Sequence, residues 1–131
     1  MIIDSSALIA ILLAEPEALA CAQAIESAAH RRISAVNYVE AAIVIDGRGD
    51  PIASDRFDDL LREALIDIEP VDKVQAETAR QAYRTFGRGS GHPARLNFGD
   101  CFAYALSRRR GEALLFKGND FIHTDVGQAI P

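Results

Sequence analysis

With 131 residues, 49% of them hydrophobic and 25% charged, the sequence has the balance of a soluble globular protein, with room for one domain (1–131) and not two. No apolar run approaches the roughly 20 residues of a membrane span. The longest, Ala7 to Ala14, follows Asp4 without the basic flank or cleavage site of a signal peptide, so a cytoplasmic protein with no membrane association is expected.

The net charge of −5 argues against a polyanionic partner only until it is mapped. Residues 46–72 hold nine acids against three arginines. Residues 78–99 hold Arg80, Arg84, Arg88, His92 and Arg95 with no acid, and Arg108, Arg109 and Arg110 follow. Local charge governs polyanion binding, although the last three arginines also suit a helix C-terminus. Cys21 and Cys101 lack metal-ligand spacing and read as free, buried thiols.

In chain order, Met1 to Ile3 reads as a short buried strand ending at Asp4, with Ser5 and Ser6 as candidate caps of a helix through Leu13. Glu15-Pro16-Glu17 opens a second helix to about Ala29. Arg32 to Ser34 is a strand, and Ser34 caps a helix from Ala35 to Asp46, broken by Gly47 to Pro51. A helix from Ser54 to Leu65 leads to a strand over Ile66 to Glu69, and another helix spans Asp72 to Phe86. Gly87 to Pro93 is a flexible loop. Asn97 caps a helix from Phe98 to Arg109, followed by a strand over Ala113 to Phe116, a turn at Asn119 to Phe121 and an extended piece around Asp125. Strands alternating with helices predict an α/β fold with a parallel sheet covered on both faces.

Four acids stand out against this frame. Asp4 follows the first strand, on the side of a parallel sheet where ligands bind; the structural alternative is a helix cap. At about 100° per residue, Val36, Val39, Ile43 and Val44 form an apolar stripe with Glu40 at its centre. A core-facing carboxylate there requires an ion pair or a site. Asp100 occupies the first turn of a helix expected to bury Phe98, Cys101, Phe102, Ala105 and Leu106, and with Asn97 it also fits a capping box. Asp120 lies just past the last strand, where a turn-forming role is the alternative. Carboxylates gathered in one cleft repel one another unless a cation neutralises them. Oxygen-only ligands favour Mg2+ or Mn2+, and an ion so held suits phosphodiester hydrolysis. His30, His92 and His123 are scattered and form no nucleophile–base pattern.

The segments "MIIDSSALIAIL" (Met1 to Leu12), "ISAVNYVEA" (Ile33 to Ala41), "LNFGDCFAYALS" (Leu96 to Ser107) and "LLFKGNDFIHTDV" (Leu114 to Val126) resemble, in order and spacing, the VapC branch of the PIN-domain family. That resemblance implies a PIN-like α/β/α sandwich around a short, mainly parallel sheet. It implies the toxin of a type II toxin–antitoxin system, a Mg-dependent endoribonuclease with catalytic residues Asp4, Glu40, Asp100 and Asp120. Asp4, Asp100 and Asp120 would hold the metal, Mn2+ being a substitute, with Glu40 and Asp120 at the attacking water. Ser6, Asn97 and Asp125 would support the site. Arg84, Arg88, His92, Arg95 and Arg108 would hold RNA phosphates, single-stranded or looped RNA reaching a recessed site most readily. A homodimer and a VapB-type antitoxin, covering apolar surface near the first helices, are the implied partners.

Two other readings compete. A phosphoacceptor signalling domain would place Lys117 near a late strand but needs an aspartate after a middle strand, whereas Glu40 lies within a helix. A non-catalytic PIN-like module that only holds RNA or a protein gains nothing from carboxylates facing phosphates.

Overall fold

The computed structural model describes residues 1–131. Four short strands, β1 (Ile2–Ile3), β2 (Arg32–Ser34), β3 (Asp67–Glu69) and β4 (Leu114–Leu115), form one sheet in the order β3-β2-β1-β4, every pair parallel. The helices are α1 (Ser5–Leu12), α2 (Ala18–Ser27), α3 (Ala35–Asp46), α4 (Pro51–Glu63), α5 (Lys73–Phe86) and α6 (Phe98–Arg110), with a 3-10 turn over Phe121–His123. None is long and apolar enough to cross a membrane.

The period-two alternation of a strand divides the core. Ile2 and Leu114 belong to one buried cluster with residues of α5, α6 and the C-terminal segment; Ile3 and Leu115 belong to another with residues of α1 to α4. Both faces are therefore covered, as the α/β/α expectation requires. From β1 the chain steps outward through β2 to β3 and then crosses back to place β4 on the other side of β1. The strand order thus reverses between β1 and β4, which is where a parallel α/β sheet places its ligand crevice, beyond the carboxyl ends of the strands.

Several boundaries differ from the sequence reading for definable reasons. Asp4, not Ser5 or Ser6, caps α1, its side chain accepting from the Ser6 amide. Helix α4 begins at Pro51, three residues before the expected start, because Asp50 caps it and proline suits a first helical position. The Gly87 to Pro93 segment, expected to be flexible, is closed at its base by Arg88 N donating to Leu96 O (3.0 Å) and Leu96 N donating to Phe86 O (2.9 Å).

Leu114 and Leu115 are both fully buried on opposite faces of a two-residue strand. Leu114→Ala and Leu115→Ala are each expected to lower the unfolding free energy by about 2–5 kcal/mol in urea titrations. A loss under about 1 kcal/mol at either position would mean that its face is not packed as described.

Candidate active site

The crevice gathers one acid from each of four places in the chain. Asp4 ends β1, Glu40 lies on α3, Asp100 in the first turn of α6, and Asp120 in the loop after β4. Asp4 is 3% exposed. Its Oδ2 accepts from Ser6 N (3.1 Å) and Ser6 Oγ (2.6 Å), and Ser6 Oγ in turn accepts from Lys117 N (2.9 Å). The chain leaving β4 therefore holds the residue that orients Asp4. The other oxygen, Oδ1, is sealed from solvent with no partner.

Asp100 is fixed by a reciprocal capping box: its amide donates to Asn97 Oδ1 (2.9 Å), and Asn97 N donates to Asp100 Oδ2 (3.0 Å). The side chain that caps α6 is also the one that faces the charges of Asp4, Glu40 and Asp120. Glu40 is half-buried; its Oε1 accepts from Ser5 Oγ and from Asn37 Nδ2 (3.3 Å). Asp120 is exposed at the rim and makes no side-chain cap bond.

The charges converge. Burial, first of all, raises Asp100 to about 7, against the lowering effect of the Asn97 amide, and the charges of Asp4, Asp120 and Glu40 raise it further. Asp4 is pushed up to about 6, chiefly by burial; the Ser6 bonds oppose that shift and the Glu40 charge adds to it. The orphaned Asp4 Oδ1 beside a second buried carboxylate is an all-oxygen donor set that a hard divalent cation would satisfy. No three His, Cys, Asp or Glu side chains group closely enough to hold an ion by themselves. An all-oxygen pair suits a hard cation such as Mg2+, which keeps several of its waters, and not zinc with its nitrogen and sulfur ligands.

The PIN-domain family model matches residues 1–127. Ribonuclease VapC28 of Mycobacterium tuberculosis is 55% identical over 130 residues, covering 99% of this chain and 98% of that protein. This chain belongs to the VapC branch of the PIN-domain family. The fold agrees with a crystal structure of M. tuberculosis VapC20, a toxin described as cleaving the sarcin-ricin loop (TM-score 0.76, 16% identity, 99% and 98% of the two chains). It also agrees with a toxin–antitoxin complex from Klebsiella pneumoniae (TM-score 0.68, 17% identity, 92% and 88%).

Within this PIN domain the four acids expected from sequence share one crevice, and Ser6 and Asn97 are hydrogen-bonded to two of them. The apolar stripe around Glu40 does not face the core. Val39, Ile43 and Val44 are 50%, 67% and 41% exposed, and α3 buries Asn37, Ala41 and Ile45 instead. Phe98, expected in the core, is 71% exposed, while Asp100, expected to point away from the buried face, is itself buried.

Asp125 is engaged elsewhere: its Oδ1 accepts from Tyr104 OH (2.8 Å), and its Oδ2 pairs with Arg108 (3.3 Å). Arg108 is thus already occupied by a carboxylate, as are Arg109 (Asp72, 3.9 Å) and Arg110 (Glu69, 2.7 Å). Arg84, Arg88 and Arg95 are exposed. His92 is a loop staple, its Nδ1 accepting from Ala94 N (3.1 Å) and its ring set edge-on to Phe86 at 4.9 Å. Sequence reasoning missed Ser5, Asn37 and Gly99. The one signal available was a polar residue three positions before Glu40 on the same helix.

A carboxyl that burial makes a weaker acid changes how stability depends on pH. Between the unfolded pKa near 4 and the folded value near 7, the folded chain binds more protons at Asp100 than the unfolded chain does, so this group weakens stability as pH rises. In metal-free protein, Asp100→Asn is expected to match wild type at pH 4 and to exceed it at pH 8 by roughly 1–3 kcal/mol. Equal stability at both pH values would show that Asp100 is not electrostatically frustrated.

Proposed function

We propose that the chain is the toxin of a type II toxin–antitoxin pair and a cytoplasmic endoribonuclease, hydrolysing RNA phosphodiester bonds with Mg2+ at Asp4, Glu40, Asp100 and Asp120. The carrying observation is the convergence of these four acids at the sheet's switch point, in a chain 55% identical to a protein named a ribonuclease. Asp4 and Asp100, with Asp120 at the rim, are the residues that would hold Mg2+, with Mn2+ able to substitute. Once bound, such an ion supplies positive charge against the scissile phosphate and acidifies water.

The chain's own groups do the remaining work. Ser6 and Asn97 keep the Asp4 and Asp100 carboxylates in place. Glu40, with Oε1 held by Ser5 and Asn37, keeps Oε2 free to orient the attacking water and take its proton. Arg84, Arg88 and Arg95, exposed on the acid-free stretch before α6, hold the phosphates of single-stranded or looped RNA, with His92 in the same loop; Arg108 joins them only by leaving Asp125. The partners are a VapB-type antitoxin over α1 and α2, where Leu19 is 69% exposed, and a second copy of this chain. The homodimer would cover the apolar surface formed by Val39, Ile43 and Val44 on α3 and Phe98 on α6.

Antitoxin-free protein incubated with total RNA is expected to give discrete fragments with Mg2+ or Mn2+ and none with EDTA. Asp4→Asn and Asp100→Asn should each lower the rate by at least about 100-fold, as expected when a ligand to an essential ion is neutralised. Equal cleavage by wild type and both variants would expose a contaminating nuclease. No cleavage by folded, metal-bound protein would favour a non-catalytic binding module. For the assembly, Ile43→Glu is expected to halve the mass measured by light scattering; an unchanged mass would remove this face from the interface.

A further inference from the structure

Asn37 is fully buried in the first turn of α3, yet it is polar and lies one turn before Glu40. Its Nδ2 donates to Gly99 O (3.0 Å) on α6 and to Glu40 Oε1 (3.3 Å). Its own Oδ1 is buried and unpartnered. That orphan makes little sense for a residue serving only to join two helices, since an amide in such a place would ordinarily be replaced by an apolar side chain. Turning the amide over would set Oδ1 against two acceptors, the Gly99 carbonyl and the Glu40 carboxylate, so the surroundings fix its orientation.

Gly99 is buried immediately before Asp100, with an ordinary helical φ that any residue could adopt. What excludes a side chain is Glu40: a Cβ at this position would lie 2.7 Å from Glu40 Cδ and 2.8 Å from Oε1, and nearer still to Oε2. The bare Gly99 backbone thus forms the wall against which the Glu40 carboxylate rests, while Ser5 Oγ from α1 and the Asn37 amide from Glu40's own helix hold Oε1.

We propose that Asn37 and Gly99 are positioning residues that aim the Glu40 carboxylate into the acidic crevice, the amide holding one oxygen and the missing side chain making room for the other. This rests on the ribonuclease reading of the site and adds to it two residues that act through Glu40. Gly99→Ala is the sharper probe. The obstructing atoms belong to the far end of a flexible side chain, so the fold can accommodate the methyl group by moving Glu40 alone. Helix propensity favours alanine over glycine as well.

Asn37→Ala and Gly99→Ala would be compared with wild type, alone and in a Glu40→Gln background. The readouts are kcat, KM for RNA, Tm, and Mn2+ affinity by calorimetry. Each single variant is expected to lower kcat by about 10- to 100-fold with KM within about twofold, and to weaken Mn2+ binding measurably, Gly99→Ala without loss of Tm. In the Glu40→Gln background neither should add a further loss, since both act through the same carboxylate. Variants that lower Tm but leave kcat and Mn2+ affinity at wild-type values would overturn the proposal, as would losses that add in full to that of Glu40→Gln. Absence of RNA cleavage by wild type that still binds Mn2+ would sink the ribonuclease reading alone. The calorimetric comparison would then still decide whether Asn37 and Gly99 position Glu40.

Discussion

Two aspartates, Asp4 and Asp100, lie buried in one crevice, and burial together with their neighbours' negative charge holds both well above the usual carboxyl pKa range. A folded chain keeps such an arrangement only where the surrounding structure fixes the carboxylates in place. Both sit at helix N-termini, Asp4 capping α1 and Asp100 in the first turn of α6, where amide donors and the positive end of the helix dipole partly offset the cost. The sheet brings those two helix ends together. With order β3-β2-β1-β4, the crevice between β1 and β4 is where the α1 N-terminus meets the loop after β4, and α3 and α6 supply its remaining walls.

Charge elsewhere is arranged so that this crevice stays distinct. Glu112 pairs with the N-terminal amine and with Arg32; Arg32 and Arg110 also meet Glu69. Lys117, whose amide supports Ser6, directs its ammonium group away to Glu15 and Glu17. The one lysine adjoining the crevice therefore does not neutralise the acids. The phosphoacceptor reading, which needed that lysine at the site, loses its residue.

The legible part of the chain was its local chemistry. Ser34 and Asn97 precede helices and cap them, and the alternation of Ile2-Ile3 and Leu114-Leu115 sends one side chain to each face. Asp4 and Asp100 were legible because strand ends and helix starts are where carboxylates reach a crevice. Periodicity misled at Glu40: the apolar stripe around it faces solvent, and α3 packs through Asn37, Ala41 and Ile45 instead. For the three arginines ending α6, composition shows their charge and not the carboxylates they pair with.

By itself, the sequence determined the alternation of strands and helices, the Ser34 and Asn97 caps, the family and the identity of the four acids, because each depends on residues close together in the chain or on a spaced pattern. Only the tertiary structure decided which groups share the crevice and how they are held. The bonds that set Glu40 run from Ser5 and Asn37, and Gly99 lies 62 residues beyond Asn37. Contacts of that span depend on how helices pack across a sheet, which no local pattern encodes.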